Sequence, residues 1–508
     1  MQRLNNIGIC WILFVCMLTT NTTAQILWDG ESVDGLWSSP KNWVGDVLPD
    51  GNSNVEIDGI FFVTMDDNTT VNSVVLSGEA RLLIDDGKQL TLSGIMDQAI
   101  MIDNALLEIK GTLYIDLFLG DGIKNINGGH INNQGHIIVD LVTGDGIWNE
   151  AGINNTGCIH IDSTQENGIV NTGAAANFEN SDSIKIFRLA ESGLQNLSGA
   201  MFSNKTDRSH LELKLIYGVY ALRNNTSTFQ NYGALRMDST ANTGISSLGI
   251  NGLFENHSFI HVSNALGGSS IGNSLGCPTI NKTNGRISIE HANGGINNSI
   301  GGTWVNEGAI DIKNVSTGLN NYSCFMNKDS ISIDSAQIGI YNLDSTFYNT
   351  STGVIEISHI DGTSASWGIY NIRDFDNYGE IILSDIRTGI RNHTSLCHFD
   401  NFHILHISQV MLYGIWNTNS GSLIDHPTAS IDVVGSRIGI RNEFINSCLI
   451  NMGQIEVDGA SEIAIFCTES TSIVNESNGE ISVTNTLEGP ISIESPATLE
   501  NNGLLDLE

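Results

Sequence analysis

The chain has 508 residues, of which 22 are basic and 56 acidic, giving a formal net charge of −34. So negative a field excludes nucleic acid and anionic lipid as partners, because both are bound through positive patches. Charged residues make up 15% and only 6 are proline, while Asn, Gly, Ser, Thr and Ile crowd the sequence, a composition for β-structure with many turns and not for helix.

In chain order, the first element combines Arg3, an apolar run from Ile7 to Leu18 and a polar stretch ending Thr22-Thr23-Ala24. This is the pattern of a secretory signal peptide over residues 1–24, with cleavage expected after Ala24. The run is short for a bilayer span and nothing later is longer, so no transmembrane segment is expected in the mature chain. Export to the medium or to the extracellular cell surface follows. Residues 25–59 form a Trp/Asp/Gly-rich segment with Trp28, Trp37 and Trp43, expected to cap the open end of the domain at 60–508.

From residue 131 onward one nine-residue frame recurs: apolar, any, Asn, any, Gly, any, Ile or Leu, any, aliphatic. It reads INNQGHIIV from Ile131, FQNYGALRM from Phe229, FDNYGEIIL from Phe375 and LENNGLLDL from Leu499. From Ile131 to Leu499, 368 residues hold fifteen intervals, about 24.5 residues each. A second element, G-I-x-N, keeps the same period at Gly122, Gly146, Gly168, Gly339, Gly368, Gly389, Gly414 and Gly439. The alternating tails have the period of a strand with one buried face. Repetition every 24–25 residues then predicts an all-β, single-stranded parallel β-helix of roughly twenty coils, whose successive turns bury one continuous core.

The third frame position is Asn133, Asn155, Asn180, Asn204, Asn231, Asn256, Asn281, Asn306, Asn327, Asn349, Asn377, Asn401, Asn451, Asn475 and Asn501, with Asp425 as the exception. Where strands stack about 4.8 Å apart, identical amides can hydrogen-bond along the axis as a ladder. The glycine two residues later fits a turn of positive φ. Six cysteines follow the signal peptide, Cys158, Cys277, Cys324, Cys397, Cys448 and Cys467. Cys324 and Cys397 fall three coils apart and Cys397 and Cys448 two, beyond the ~7 Å reach of a disulfide, so free thiols are expected.

Motifs for chemistry are sparse. The acidity leaves room for calcium between turns, yet neither an EF-hand loop nor the glycine-rich nonapeptide occurs, and no cofactor is predicted. His398, His403 and His406, with His393 before them, suggest a metal by density. Residues 403 and 406 face opposite sides of a strand, however. Asp374 and Asp376, flanking Phe375, are the nearest candidates for the paired carboxylates of a glycosidase, and otherwise are turn residues. The x of G-I-x-N points outward if Ile points inward. It is Tyr341, Tyr370, Arg391, Trp416 and Arg441 on five consecutive coils, with Trp148 earlier. Four steps of ~4.8 Å align these into a stripe ~19 Å long. Such a stripe can stack on sugar rings or on a partner protein, or simply stabilise its own strands.

The W-D-G, W, N-W pattern from Trp28 to Gly59 resembles the opening of secreted surface proteins of Bacteroidetes-type bacteria and of autotransporter passenger regions. The coils resemble right-handed parallel β-helix proteins generally. This resemblance implies right-handed coiling and a secreted or cell-surface, adhesin-like scaffold that binds glycans or surface proteins without catalysis. The class also contains polysaccharide lyases and glycoside hydrolases, an alternative here weakened by the lack of N-T-D, G-H-G and R-I-K and by 22 thinly spread basic residues, which make capture of an anionic polymer a poor expectation. A structural matrix component is the third expectation.

Overall fold

A computed structural model describes residues 24–508 apart from 95–96 and 361–365; the expected signal peptide up to residue 23 lies outside the described residues. The chain is a parallel β-solenoid of about 18 turns, with 63% of its residues in strands and 1% in helix. A representative coil runs through His130–Asn133, His136–Val142 and Ile147–Asn149. Each strand pairs in parallel with the strand one coil on. The nine-residue frame supplies the first two strands and G-I-x-N the third. Among the described residues no helix is long and apolar enough to cross a membrane.

The expected ladder is present. From Asn133 to Asn401 each Asn donates its Nδ2 hydrogen to the Oδ1 of the next coil's Asn at 2.7–2.9 Å. Asn401 donates to Asp425, and the ladder resumes from Asn451 through Asn475 to Asn501. The ladder amides up to Asn475 are fully buried. Each amide there, left unpaired, would cost about 1–3 kcal/mol, which is the reason one residue type persists.

A second ladder, unforeseen from the sequence, uses the Asn of G-I-x-N. It runs Asn125, Asn149, Asn171, Asn196, Asn224. It breaks at Ser247, whose hydroxyl meets Cys277 Sγ at 2.9 Å. It restarts at Asn273 and continues to Asn442. The Oδ1 atoms left without a donor include the first of each run: Asn125, Asn133 and Asn273. The apolar first position of the frame is a third column. Phe178, Phe202, Phe229 and Phe254 stack with ring centroids 4.9–5.3 Å apart, as do Phe325, Phe347, Phe375 and Phe399 at 4.6–4.9 Å.

One expectation is corrected. The frame glycines Gly135, Gly233, Gly379 and Gly503 are absent from the positive-φ residues. Their role is close approach: a Cβ on Gly233 would lie 2.2 Å from Ser209 O of the preceding coil, and one on Gly379 2.1 Å from Gly353 O. The six cysteines are free thiols. At the start of the solenoid, Trp28 and Trp37 pack edge-on against Trp43 at 4.8 and 4.7 Å, in one core with Val55 and Val63. Asp34 ties this segment together. It accepts from the Ser39 hydroxyl, the Leu36 N–H and the Asn42 amide, which hold its carboxyl well below the usual range.

Candidate functional site

In the later coils the second and third strands fuse into long bent strands, including Ser330–Asn342, Glu380–His393 and Ile404–Thr418. One residue at each bend adopts left-handed backbone: Ser335 (φ 58°), Asp385 (φ 51°) and Gln409 (φ 54°). The same conformation recurs in earlier coils at Leu117, Leu141 and Leu215, so the bend belongs to the scaffold and is not strain stored at one site. Past each bend lies a buried glycine at a close approach of two coils. A Cβ on Gly389 would fall 2.3 Å from Gly414 O. This glycine lets two successive residues face inward, so residues three apart, such as Trp367 and Tyr370, both face outward.

Tyr341, Tyr370, Arg391, Trp416 and Arg441 sit in strict register on consecutive coils. Trp148 occupies the same column many coils earlier, between Lys124 and Val170. The five are half-buried, because they pack on one another. Tyr341 meets Tyr370 edge-on at 4.9 Å. The Arg391 guanidinium lies 4.3 Å from the Trp416 ring centroid and 5.4 Å from those of Tyr370 and Trp367. Burial pulls the Arg391 pKa below the ordinary arginine value and pushes the tyrosine hydroxyls of Tyr341 and Tyr370 up.

The two arginines differ. Arg441 donates to Tyr413 Oη at 2.7 Å and to Glu443 at 2.9 Å, and Trp416 Nε1 donates to the same carboxylate at 3.1 Å. Both Arg441 Nη nitrogens therefore have acceptors, although its Nε, like that of Arg391, is buried without one. Arg391 keeps a buried Nε without an acceptor, and among the described residues no carboxylate lies within ion-pairing distance of it.

Beside the stripe, on the same strands, the bends enclose a groove of about 620 Å³ lined by Gln337, His359, Asp385, Arg387, Gln409 and Met411 among others. His359 bridges two coils, with Nδ1 2.7 Å from Asp334 and Nε2 3.6 Å from Asp385. Arg387, four residues before Arg391 on Glu380–His393, has no ion-pair partner among the described residues.

No protein-family model matches this chain, and no curated protein or solved structure matches it. The face therefore has to be interpreted from its own geometry. Trp367, Tyr413, Glu443, His393 and Phe466 join the stripe although the G-I-x-N rule selects none of them. The signal that finds Trp367 and Tyr413 is an aromatic three residues before an outward aromatic, across the glycine.

The other sequence candidates are dispersed. His393 packs 6.0 Å from Tyr370, His398 bonds Ser422 Oγ at 2.7 Å, and His406 bonds Asp432 at 2.7 Å. Among the described residues no group of three or more His, Cys, Asp or Glu is arranged to hold a metal. Asp374 and Asp376 point to different environments. Asp374 is in register with His398, whereas Asp376 stacks on Asp400. Burial, then Asp400 and Asp374, push the Asp376 carboxyl up to about 6. The pair flanks the Tyr378, Phe402 and His426 ring stack, with centroids 4.2 and 3.8 Å apart.

Proposed function

We propose that this chain is a secreted or cell-surface β-solenoid of the adhesin-like kind, which binds a saccharide on a glycan or surface partner through the outward face of coils 335–441 and does not catalyse. The observation carrying this reading is the register-aligned cluster of Tyr341, Tyr370, Trp416 and Arg391, most of it on strands that also line the groove. Flat rings held on a rigid sheet lose little entropy when a sugar ring stacks on them, and aromatics with Arg dominate contact surfaces of this kind. The N-terminal signal sequence and the likeness of the Trp28–Gly59 segment to bacterial surface proteins support export. The test is a glycan array, repeated on whole cells, with Tyr370→Ala and Trp416→Ala. Both variants are expected to fold and to lose binding at least about tenfold; retention of binding by both removes the stripe from the account.

The Asp376–Asp400 pair favours a second reading, hydrolysis of a polysaccharide. Incubation with plant and algal polysaccharides, followed by assay for new reducing ends, separates the two. Turnover that Asp376→Asn abolishes would establish the enzyme.

A further inference from the structure

We infer that the groove and the open end of the stripe form one site for an acidic saccharide, a chain bearing uronate or sulfate groups, held by Arg387 and Arg391. This deepens the saccharide-binding reading and rests on it. The argument begins with charge. In a chain of −34 most guanidiniums near this face already have carboxylates: Arg441 has Glu443, Arg437 has Glu462, and Arg373 has Asp344. Arg387 and Arg391 have none among the described residues. Arg391 is moreover half-buried among Trp367, Tyr370 and Trp416, with its Nε unsatisfied. Removing a guanidinium from water without giving it an acceptor is unfavourable. An anion that reaches it from outside supplies the missing acceptor, bidentately if it is a carboxylate or sulfate.

Geometry then restricts the anion. Arg387 and Arg391 are four residues apart on one strand, at most roughly 13 Å between Cα atoms at ~3.3 Å per residue, and the Arg391 guanidinium is held among Trp367, Tyr370 and Trp416 while Arg387 lines the groove, so a ligand that engages both spans groove and stripe. A linear ligand lying along Glu380–His393, from the groove across the stripe, does so. Its rings would meet the Tyr370 and Trp416 faces, and its hydroxyls would meet Gln337, Gln409 and the His359–Asp385 pair in the groove. An acidic peptide fits less well. Peptides commonly dock by adding a strand to a free sheet edge, and Glu380–His393 already has strands on both sides. Carboxylates farther than about 8 Å are screened at physiological ionic strength; of the nearer ones, Glu443 is engaged by Arg441 and Trp416 and Asp385 faces His359.

The experiment is titration calorimetry of the full chain with size-matched probes: a uronate hexasaccharide, a sulfated hexasaccharide, a neutral xylohexaose and poly-glutamate. Binding of either or both acidic sugars, weakening as salt is raised, is expected. Arg387→Gln and Arg391→Gln should each reduce it by about tenfold or more with unchanged circular dichroism, and Arg391→Lys should restore less than the native affinity because it lacks the fork. Equal binding of xylohexaose, unaffected by the arginine variants, overturns this inference while leaving the saccharide reading intact. Equal binding of poly-glutamate overturns the choice of a sugar. No binding of any saccharide, here and on the array, overturns both.

Discussion

Five adjacent residue pairs show two opposite behaviours on one strand. The inward members, Asn342, Asn371, Asn392, Asn417 and Asn442, are one residue type on five coils and bond to one another. The outward members, Tyr341, Tyr370, Arg391, Trp416 and Arg441, are three types over the same coils and satisfy themselves unequally. Inside, a side chain that is not an amide strands its neighbours' donors and acceptors, and identity is enforced by the repeat itself. Outside, water can replace any partner, so identity is free to serve a contact. An uncompensated guanidinium among rings is therefore more informative than fifteen amides in a column.

The largest expected effect is on the inward side. Asn231→Ala removes the acceptor for Asn204 and the donor to Asn256 and should cost about 2–4 kcal/mol. Hydrogen exchange should show the loss in coils 204–256 first, since each coil leans only on its neighbours.

Asp425 sharpens the comparison, because it is an acid in an amide's place. Neighbouring amides donate both to the next coil's side chain and to a backbone carbonyl, as Asn401 does to Asp425 and Ser430 O, and Asn451 to Asn475 and Glu480 O. Asp425 Oδ2 has no partner, and burial pushes the carboxyl up to about 7 despite the Asn401 amide and the Gln454 N–H. A carboxyl raised on folding takes up a proton as the chain folds. Its contribution is therefore complete below pH about 4 and is lost as pH rises to about 7, at up to about 1.4 kcal/mol per pH unit. Asp425→Asn should stabilise the chain at pH 8, give no gain below pH 4 and flatten the pH dependence of the urea midpoint.

Closing the gap in the second ladder is the next smaller effect. Asn224, Ser247 and Asn273 are in register, and Cys277 fills the space beside Ser247. Ser247→Asn with Cys277→Ala should join the two runs, satisfy the orphaned Asn273 Oδ1 and raise stability by about 1 kcal/mol. Outward, Tyr341→Thr should change stability by less than about 1 kcal/mol while thermal unfolding stays cooperative.

The architecture and the first Asn column were legible because strict nine-residue copies carry both the strand period and the amide. The second column is visible in the sequence only as the G-I-x-N motif. The G-I-x-N copies are sparse in the middle of the chain, where Ser247 interrupts the column. The Phe column was hidden by treating Phe, Ile and Leu as one apolar class. The stripe was found in register, but its half-burial was not, since Trp367 and Tyr413 enter from positions that ideal alternation sends inward. The groove depends on the left-handed residues Ser335, His359, Asp385 and Gln409, four different residue types at one coil position, which no repeated letter marks in the sequence. The pairing of Asp376 with Asp400 needed only the frame's register.

The central claim is that segments one repeat apart lie directly on one another. Gln230 and Glu255 are in register and their side chains are 2.9 Å apart, and Glu255 is in register with Ile280 in turn. Paired cysteines at Gln230 and Glu255 should oxidise to a disulfide that peptide mapping locates. Cysteines at Gln230 and Ile280 are two steps of ~4.8 Å apart, beyond the ~7 Å reach of the bond, and should remain reduced. Closure of the distant pair with failure of the adjacent one would contradict the stacking, and with it both ladders and the proposed binding face.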